Sequence, residues 1–423
     1  MNECKTKIAK LISESSTTAG NVDGRPELET LTRAIHESVF YDLVAVQETN
    51  QPIAVLFGVR HLNPAGKMTF GEQSNYSGKY GSRKDIEEIT ASTTFVKGNA
   101  YAYNDVVYVA LEDATITKYP GASLQDSVDL CVMNLVIRYA GEAAPVGKFE
   151  TQDDIIQEID FEIDKWTCRV RSRKLKTDIT IEVMQDMGAS QFDADATVND
   201  VLATVTGEEI NKDVFQALIT VSKRHELHGI DAKNGIIDLS DITDIKTRYE
   251  QGRFLYHVAS EMAAEISRTT TYAGTYIVCS ARVAAMLDAS GWLNAPDREK
   301  SRAFGILKNG LHVYVDNYTS FDYMVVGCKH TLNDIEHVGS LFFSPFTEND
   351  KLGAYKICVD PSSLQNKVLM LTRYALSVNP YTSDIPYSKD TRERDVNADD
   401  FSALAGKSLM SRFVGIKLPK AIN

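Results

Sequence analysis

The longest helical pattern in the chain, at residues 197–223, most limits what this chain can fold into. Its apolar residues recur mostly at spacings of three and four and form one stripe, Val198, Val201, Leu202, Val205, Ile210, Val214, Leu218 and Val221. At 1.5 Å per residue, about 27 helical residues extend roughly 40 Å. A helix of that length crosses a whole domain, so the other elements of the domain must pack along it.

The segment just before this helix has the pattern of strands with two unlike faces. Ile159, Phe161 and Ile163 alternate with acidic residues, and Arg169 and Arg171 alternate with apolar ones. Helical patterns at 245–268 and 281–290 are interspersed with further strand-like segments, at 52–60, 103–119, 275–280, 311–318, 323–329, 340–346, 354–359 and 368–379. Because no regular βαβ order is present, the sequence predicts an α+β fold with antiparallel pairing.

Composition and charge exclude several classes of protein. The 423 residues suffice for two or three domains, and the formal net charge is −13. No basic face extends beyond Arg169–Lys176, so the chain is not expected to grip nucleic acid through its phosphates. No apolar run reaches the about 18 residues of a membrane span. Six cysteines without a CxxC pair indicate buried free thiols.

No arrangement of residues indicates catalysis or a bound cofactor. The sequence has no GxGxxG, GxxxxGK[ST], GxSxG or HExxH motif. The nearest approach to a metal site, His225-Glu226-Leu227-His228, has the wrong spacing for two ligands on one helical face. We therefore expect no catalytic residue, no cofactor and no metal ion, and a protein that is not an enzyme.

Two polar segments indicate contact with other molecules. Residues 1–27 are polar, and we expect a mobile N-terminal arm. Residues 63–92 mix glycines with aromatic and basic residues and are too long for an ordinary connection. Five residues there could stack on bases or contact protein, and we favour contact with another protein subunit because Tyr and Arg are enriched at interfaces: Tyr76, Lys79, Tyr80, Arg83 and Lys84.

Short motifs in a fixed order resemble the major capsid proteins of T-even-type tailed phages. Three stand close together at Ile163-Asp164-Lys165, Ser172–Lys176 and Glu182–Asp186, and Glu209-Ile210-Asn211 follows within the predicted helix. Later segments that match the pattern are TYIVCSARVAAML, GLHVYVDNYTSFDYMVVGCK, LTRYALSVNPY and GKSLMSRFVGIKLP. The resemblance is carried by their order, which is collinear from about Leu28 to Pro419.

This resemblance implies the HK97-like capsid fold and a division of the chain. The N-terminal arm would take 1–27, and the N-arm with the first strands 28–62. An extended E-loop would occupy 63–105, and an axial domain 240–330. The peripheral domain, built around the long spine helix at 197–223, would combine 106–239 with 331–423.

The same resemblance implies a structural role in a virion. Copies of the chain would form hexamers, with pentamers an open option, that tile an icosahedral head assembled in the host cytoplasm. The head would enclose double-stranded DNA without sequence-specific binding, alongside scaffold, portal, vertex and decoration proteins and away from any membrane. Two alternatives stay open, a vertex paralogue that forms pentamers and a host nanocompartment shell. Ile12-Ser13-Glu14 matches a family cleavage pattern, which implies maturation cleavage after Glu14.

Overall fold

The computed structural model of the chain contains six α-helices and 25 strands within the residues it describes. These are residues 39–418, apart from 63–77, 81–85, 105, 117–122, 151–155, 157–158, 190–193, 227–234, 241–246, 295–302, 333–334, 349–350, 353, 360–365 and 384–396. The mixture of helices with mainly antiparallel strands confirms the predicted α+β class.

The helices and strands are numbered in chain order. The helices are α1 Phe40–Leu43, α2 Leu124–Met133, α3 Ile181–Ala189, α4 Ala194–Val221, α5 Arg248–Thr270 and α6 Ala281–Ala289. The strands are β1 Ala45–Val46, β2 Ile53–Leu62, β3 Glu87–Glu88, β4 Thr94–Phe95, β5 Ala100–Tyr103, β6 Val106–Ala110, β7 Ala114–Thr115, β8 Ile137–Tyr139, β9 Asp160–Arg169, β10 Arg171–Ile179, β11 Ser222–Arg224, β12 Ile236–Asp238, β13 Tyr276–Ser280, β14 Leu293–Asn294, β15 Gly305–Leu307, β16 His312–Asp316, β17 Tyr323–Gly327, β18 Lys329–Leu332, β19 Ile335–Gly339, β20 Phe342–Pro345, β21 Thr347–Glu348, β22 Lys351–Leu352, β23 Ala354–Val359, β24 Asn366–Ser377 and β25 Ser408–Lys417.

The chain forms two compact units. The first comprises Met1–Leu56, Lys165–Ala263 and Gly274–Asn423, and the second comprises Phe57–Asp164 and Ala264–Ala273. No described helix is both long enough and apolar enough to cross a membrane. Of the five described cysteines, Cys358 is exposed and the other four are buried.

An eight-stranded sheet forms one part of the first unit. Its strands run in the order β11-β25-β17-β13-β16-β15-β14, and β12 also pairs with β25. Every residue of β13 and β17 is buried, as expected for strands covered on both faces. The tail strand β25 pairs antiparallel with β17. The predicted domain division assigns β17 to the axial domain and β25 to the peripheral domain.

The long helix α4 supports a five-stranded sheet in the same unit. It spans Ala194–Val221, within three residues of the predicted 197–223 at either end. Along its stripe, Leu202, Val214 and Leu218 are buried, whereas Val201 is 54% exposed. The central strand β24 pairs with β10 along one edge and with β20 and β23 along the other. Leu202 packs beneath this sheet, so one sheet face is covered by the helix.

The second unit has a small sheet and a core of its own. Strands β3, β5, β6 and β8 form a four-stranded sheet, and helix α2 begins with a capping box between Ser123 and Asp126. Phe95, Val128 and Ile137 are fully buried in its core. The predicted boundary between residues 105 and 106 falls inside this unit, between the paired strands β5 and β6.

Candidate subunit-assembly site

Residues from three of the sequence motifs meet where α4 crosses the five-stranded sheet. The Arg173 guanidinium on β10 donates from Nε to the hydroxyl of Tyr374 on β24, at 2.6 Å. It also lies 3.1 Å from Glu209 Oε2 and 3.1 Å from Asp213 Oδ2, both on α4. Tyr374 in turn donates to Asp213 Oδ2 at 2.6 Å. We call these four residues the helix–sheet cluster, because they join the long helix to two strands.

Partial burial and charge both act on this helix–sheet cluster. Burial raises the pKa of the Tyr374 hydroxyl, and its hydrogen bond to Asp213 raises it further, so the phenol stays protonated and donating. Burial lowers the pKa of Arg173, but Tyr374 and Asp213 outweigh it and the net shift is upward. The guanidinium therefore remains a cation that holds two carboxylates on one helix face.

Removing the guanidinium tests the strength of this connection. We expect Arg173→Met to lower the free energy of unfolding by about 1–2 kcal/mol. The change removes the part-buried hydrogen bond to Tyr374 and the two partly solvent-screened ion pairs with α4. Urea unfolding followed by circular dichroism measures the change. Arg171→Met is the matched control, since Arg171 lies on the same strand, is 72% exposed and sits 3.7 Å from Asp399. A loss as large in the control would refute a special role for Arg173.

A second motif residue, Asn211 on α4, holds the short helix α1 in place. Its buried side-chain oxygen accepts a hydrogen bond from the backbone N–H of Phe40, at 3.1 Å. The Phe40 ring packs 4.9 Å from that of Phe343 on β20, and Lys329 Nζ donates to the Tyr41 carbonyl at 2.6 Å. The start of α1 is thus held against α4 by polar and aromatic contacts together.

The central Asp of the motif in 310–329 organises a buried corner after β16. Asp316 is 1% exposed and accepts three hydrogen bonds. Its donors are the Tyr318 N–H at 2.7 Å, the Thr319 hydroxyl at 3.0 Å and the Tyr323 hydroxyl at 2.5 Å. Burial raises the pKa of Tyr323, and the neighbouring Asp316 carboxylate raises it further. This motif residue therefore has a structural role: its buried carboxylate has hydrogen-bond donors and holds the turn after β16 in place.

The predicted inter-subunit contact residues fall into two groups. Tyr76, Arg83, Lys84 and the predicted cleavage position Glu14 lie outside the described residues. Lys79 and Tyr80 belong to the second unit, where Lys79 Nζ lies 3.6 Å from Glu142 and Tyr80 packs beside Val107 and Val109. Lys79 keeps a side chain that is 45% exposed, so an inter-subunit role for this segment stays a prediction.

An apolar strand face that the contact prediction did not include is strongly exposed. On the N-terminal part of β9 and the residue before it, Ile159, Phe161 and Ile163 are 57%, 71% and 64% exposed. Their alternation with acidic residues in the sequence could have indicated a strand with an uncovered apolar face. We call these three residues the β9 apolar face. Among the described residues, no cluster of His, Cys, Asp and Glu could hold a metal ion.

The sequence of the chain matches known capsid proteins. The family model described as Major capsid protein Gp23 matches residues 21–416. The chain is 42% identical to the capsid vertex protein of Enterobacteria phage T4, over 98% of this chain and 99% of that protein. It is 26% identical to the major capsid protein of the same phage, over 91% of this chain and 80% of that protein.

Two solved phage capsid structures match the chain with low TM-scores. The capsid of Cyanophage P-SCSP1u matches with a TM-score of 0.40 and 8% identity, over 96% of this chain and 94% of that one. The capsid of Myoviridae Phage XM1 matches with a TM-score of 0.35 and 8% identity, over 63% of this chain and 80% of that one. Because these TM-scores are low, the family assignment rests on the sequence matches.

Proposed function

The chain belongs to the Gp23 major capsid protein family, and we propose that it is the vertex subunit of a phage head. The members that it matches are structural phage capsid proteins and not enzymes. A vertex subunit would form pentamers at the five-fold positions of an icosahedral shell, since a closed shell of this symmetry has five-fold positions only at its vertices.

The observation that carries the proposal is the difference between the two T4 relatives. Identity to the vertex protein is 42% with nearly complete coverage of both chains, against 26% to the major capsid protein with 80% of that protein covered. The resemblance read from the sequence favoured the hexameric major capsid protein, with the vertex paralogue as alternative. The comparisons favour that alternative, and the hexameric role remains the second candidate because the family model itself is named for the major protein.

The remaining features belong to the same proposal. Family membership supports an HK97-like fold with the N-arm, E-loop, peripheral and axial divisions given above. It also supports a shell, assembled in the host cytoplasm, that encloses double-stranded DNA and contacts portal, scaffold and decoration proteins. Cleavage after Glu14 stays a prediction. A host nanocompartment shell is disfavoured because the matched relatives are phage proteins.

Ring size and abundance in the virion distinguish the vertex role from the hexameric role. Five chains of 46.9 kDa weigh about 235 kDa and six weigh about 281 kDa, a difference that native mass spectrometry of purified rings resolves. We expect five-membered rings, and we expect quantitative peptide mass spectrometry of virions to find this chain far less abundant than the hexameric shell protein. Six-membered rings together with the highest abundance of any shell protein would instead establish the hexameric role.

A further inference from the structure

Three exposed lysines lie on one face of the five-stranded sheet. Lys174 and Lys176 are on β10, and Lys356 is on β23. Lys176 and Lys356 are both paired with Leu369 of the central strand, so the three side chains of this row point to the same side of the sheet. Two strand spacings separate Lys176 from Lys356 by about 10 Å, and Lys174 lies about 7 Å along β10 from Lys176. We call Lys174, Lys176 and Lys356 the lysine face.

The lysine face is positively charged in an acidic protein. Within the described part of the chain, none of these three lysines forms an ion pair, whereas Arg173 on the opposite side of β10 is paired with two carboxylates of α4. The acidic residue that shares this side of β10, Asp178, lies opposite Lys367 on β24. Its charge is thus balanced by a fourth lysine, and the three-lysine face keeps its positive potential.

The lysine face surrounds an apolar centre and points away from the long helix. Leu369 is 37% exposed between Lys176 and Lys356. The adjacent Val368, which points to the other side of the sheet, is fully buried and packs with Leu202 of α4. An apolar centre within a charged rim is the arrangement of protein–protein interfaces. It suits a protein partner better than the evenly charged phosphate backbone of DNA.

The negative charge of the chain is concentrated in the second unit, which makes that unit a complementary partner for the lysine face. Residues 57–164 contain 17 Asp and Glu against 9 Lys and Arg, a net charge of −8 out of the −13 of the whole chain. Exposed carboxylates of this region include Glu87, Glu88, Glu112 and Asp113. The second unit therefore offers a neighbouring molecule both negative charge and the exposed β9 apolar face.

We propose that the lysine face binds the acidic second unit of a neighbouring copy of this chain. The complementary charges steer the two copies together and set their register, and Leu369 supplies apolar contact at the centre. The association is then weakened by salt, because at 1 M ionic strength exposed charges are screened within about 3 Å. This inference rests on the proposed function in one respect: copies of the chain must associate with one another. It holds for rings of five or of six, so ring mass tests the vertex role separately.

Charge reversal of two lysines tests the proposal in the full-length chain. We expect Lys174→Glu/Lys176→Glu to weaken self-association by at least about tenfold at low salt, measured by sedimentation velocity over a range of NaCl concentrations. We also expect wild-type self-association to weaken as NaCl rises. Lys212→Glu/Lys308→Glu is the matched control, because it changes the net charge equally at two exposed lysines elsewhere. It is expected to associate like the wild type, and thermal unfolding checks that both variants fold.

Three outcomes would overturn the proposal. One is a Lys174→Glu/Lys176→Glu variant that folds and associates like the wild type. Another is a wild-type chain whose association does not respond to salt, or that stays monomeric throughout. The third is a variant that associates normally but loses binding to a fluorescent double-stranded DNA in an anisotropy assay, which would assign the lysine face to nucleic acid.

Discussion

Asp316→Ala is expected to lower the free energy of unfolding by about 3–5 kcal/mol, because it removes a buried carboxylate that accepts three hydrogen bonds. The carboxylate is 1% exposed and accepts from the Tyr318 N–H, the Thr319 hydroxyl and the Tyr323 hydroxyl. Without it, the buried Tyr323 hydroxyl and the part-buried Tyr318 N–H and Thr319 hydroxyl lose their acceptor, at about 1–3 kcal/mol for each buried group left unsatisfied. Urea unfolding monitored by intrinsic fluorescence and by circular dichroism measures the loss.

A double-mutant cycle separates the lost hydrogen bonds from a general packing effect. Tyr323 is fully buried, so Tyr323→Phe removes its hydroxyl and the hydrogen bond to Asp316 together with the desolvation cost of that hydroxyl, and we expect a loss of about 1 kcal/mol. In the double variant, Asp316→Ala should then cost less than it does alone, because Tyr323 no longer has a donor to satisfy. Strict additivity of the two losses would show that the carboxylate acts without the tyrosine.

The elements with strong local patterns were the ones that the sequence could predict. Helix α4 spans Ala194–Val221 against the predicted 197–223, because its apolar residues repeat at helical spacing over seven turns and packing along one stripe needs no distant information. The buried strand at Tyr276–Ser280 was equally readable from its apolar run. Val201 departs from the stripe and is 54% exposed, since the stripe drifts around a helix of this length.

Pairings between distant segments could not be read from local patterns. The tail strand Ser408–Lys417 pairs with Tyr323–Gly327, and nothing within either segment specifies the other. Residues 103–119, which have one continuous strand pattern, contain a tight turn after Tyr103, where Asn104 has a φ of +48°. Asn tolerates this left-handed conformation, so the turn forms inside an apparently uninterrupted strand.

The site was predictable in its motifs but not in its contacts. Arg173, Glu209 and Tyr374 stand in three separate motifs, and only the fold shows that they form one cluster with Asp213. Short motifs of this kind mark residues that hold elements together, which explains why they indicated a family without indicating a surface. The resemblance favoured the major capsid protein, whereas identity over the full length is higher to the vertex protein of T4 than to its major capsid protein.

Phe161→Thr/Ile163→Thr is expected to abolish assembly while leaving the folded subunit intact. These side chains are 71% and 64% exposed on the single chain, so replacing them removes little from its core. In a shell, burial of each by a neighbouring copy would contribute about 1.5–3 kcal/mol, and this contribution is repeated at every equivalent contact. Threonine keeps the strand propensity of the segment, so a loss of strand structure would not explain the result. Sedimentation velocity measures assembly, and thermal unfolding measures the stability of the subunit.

Lys165→Ser/Thr167→Ser is the matched control, because these exposed residues alternate on the same strand in phase with Phe161 and Ile163 but present polar side chains. We expect the control to assemble within a few-fold of the wild type, since solvated polar side chains contribute little to association. Equal losses of assembly in both variants would mean that the strand backbone, and not its apolar side chains, makes the contact. If the Phe161→Thr/Ile163→Thr chain formed normal rings or shells, the β9 apolar face would have no part in assembly. Its side chains would then stay exposed in the assembled particle as they are on the single chain.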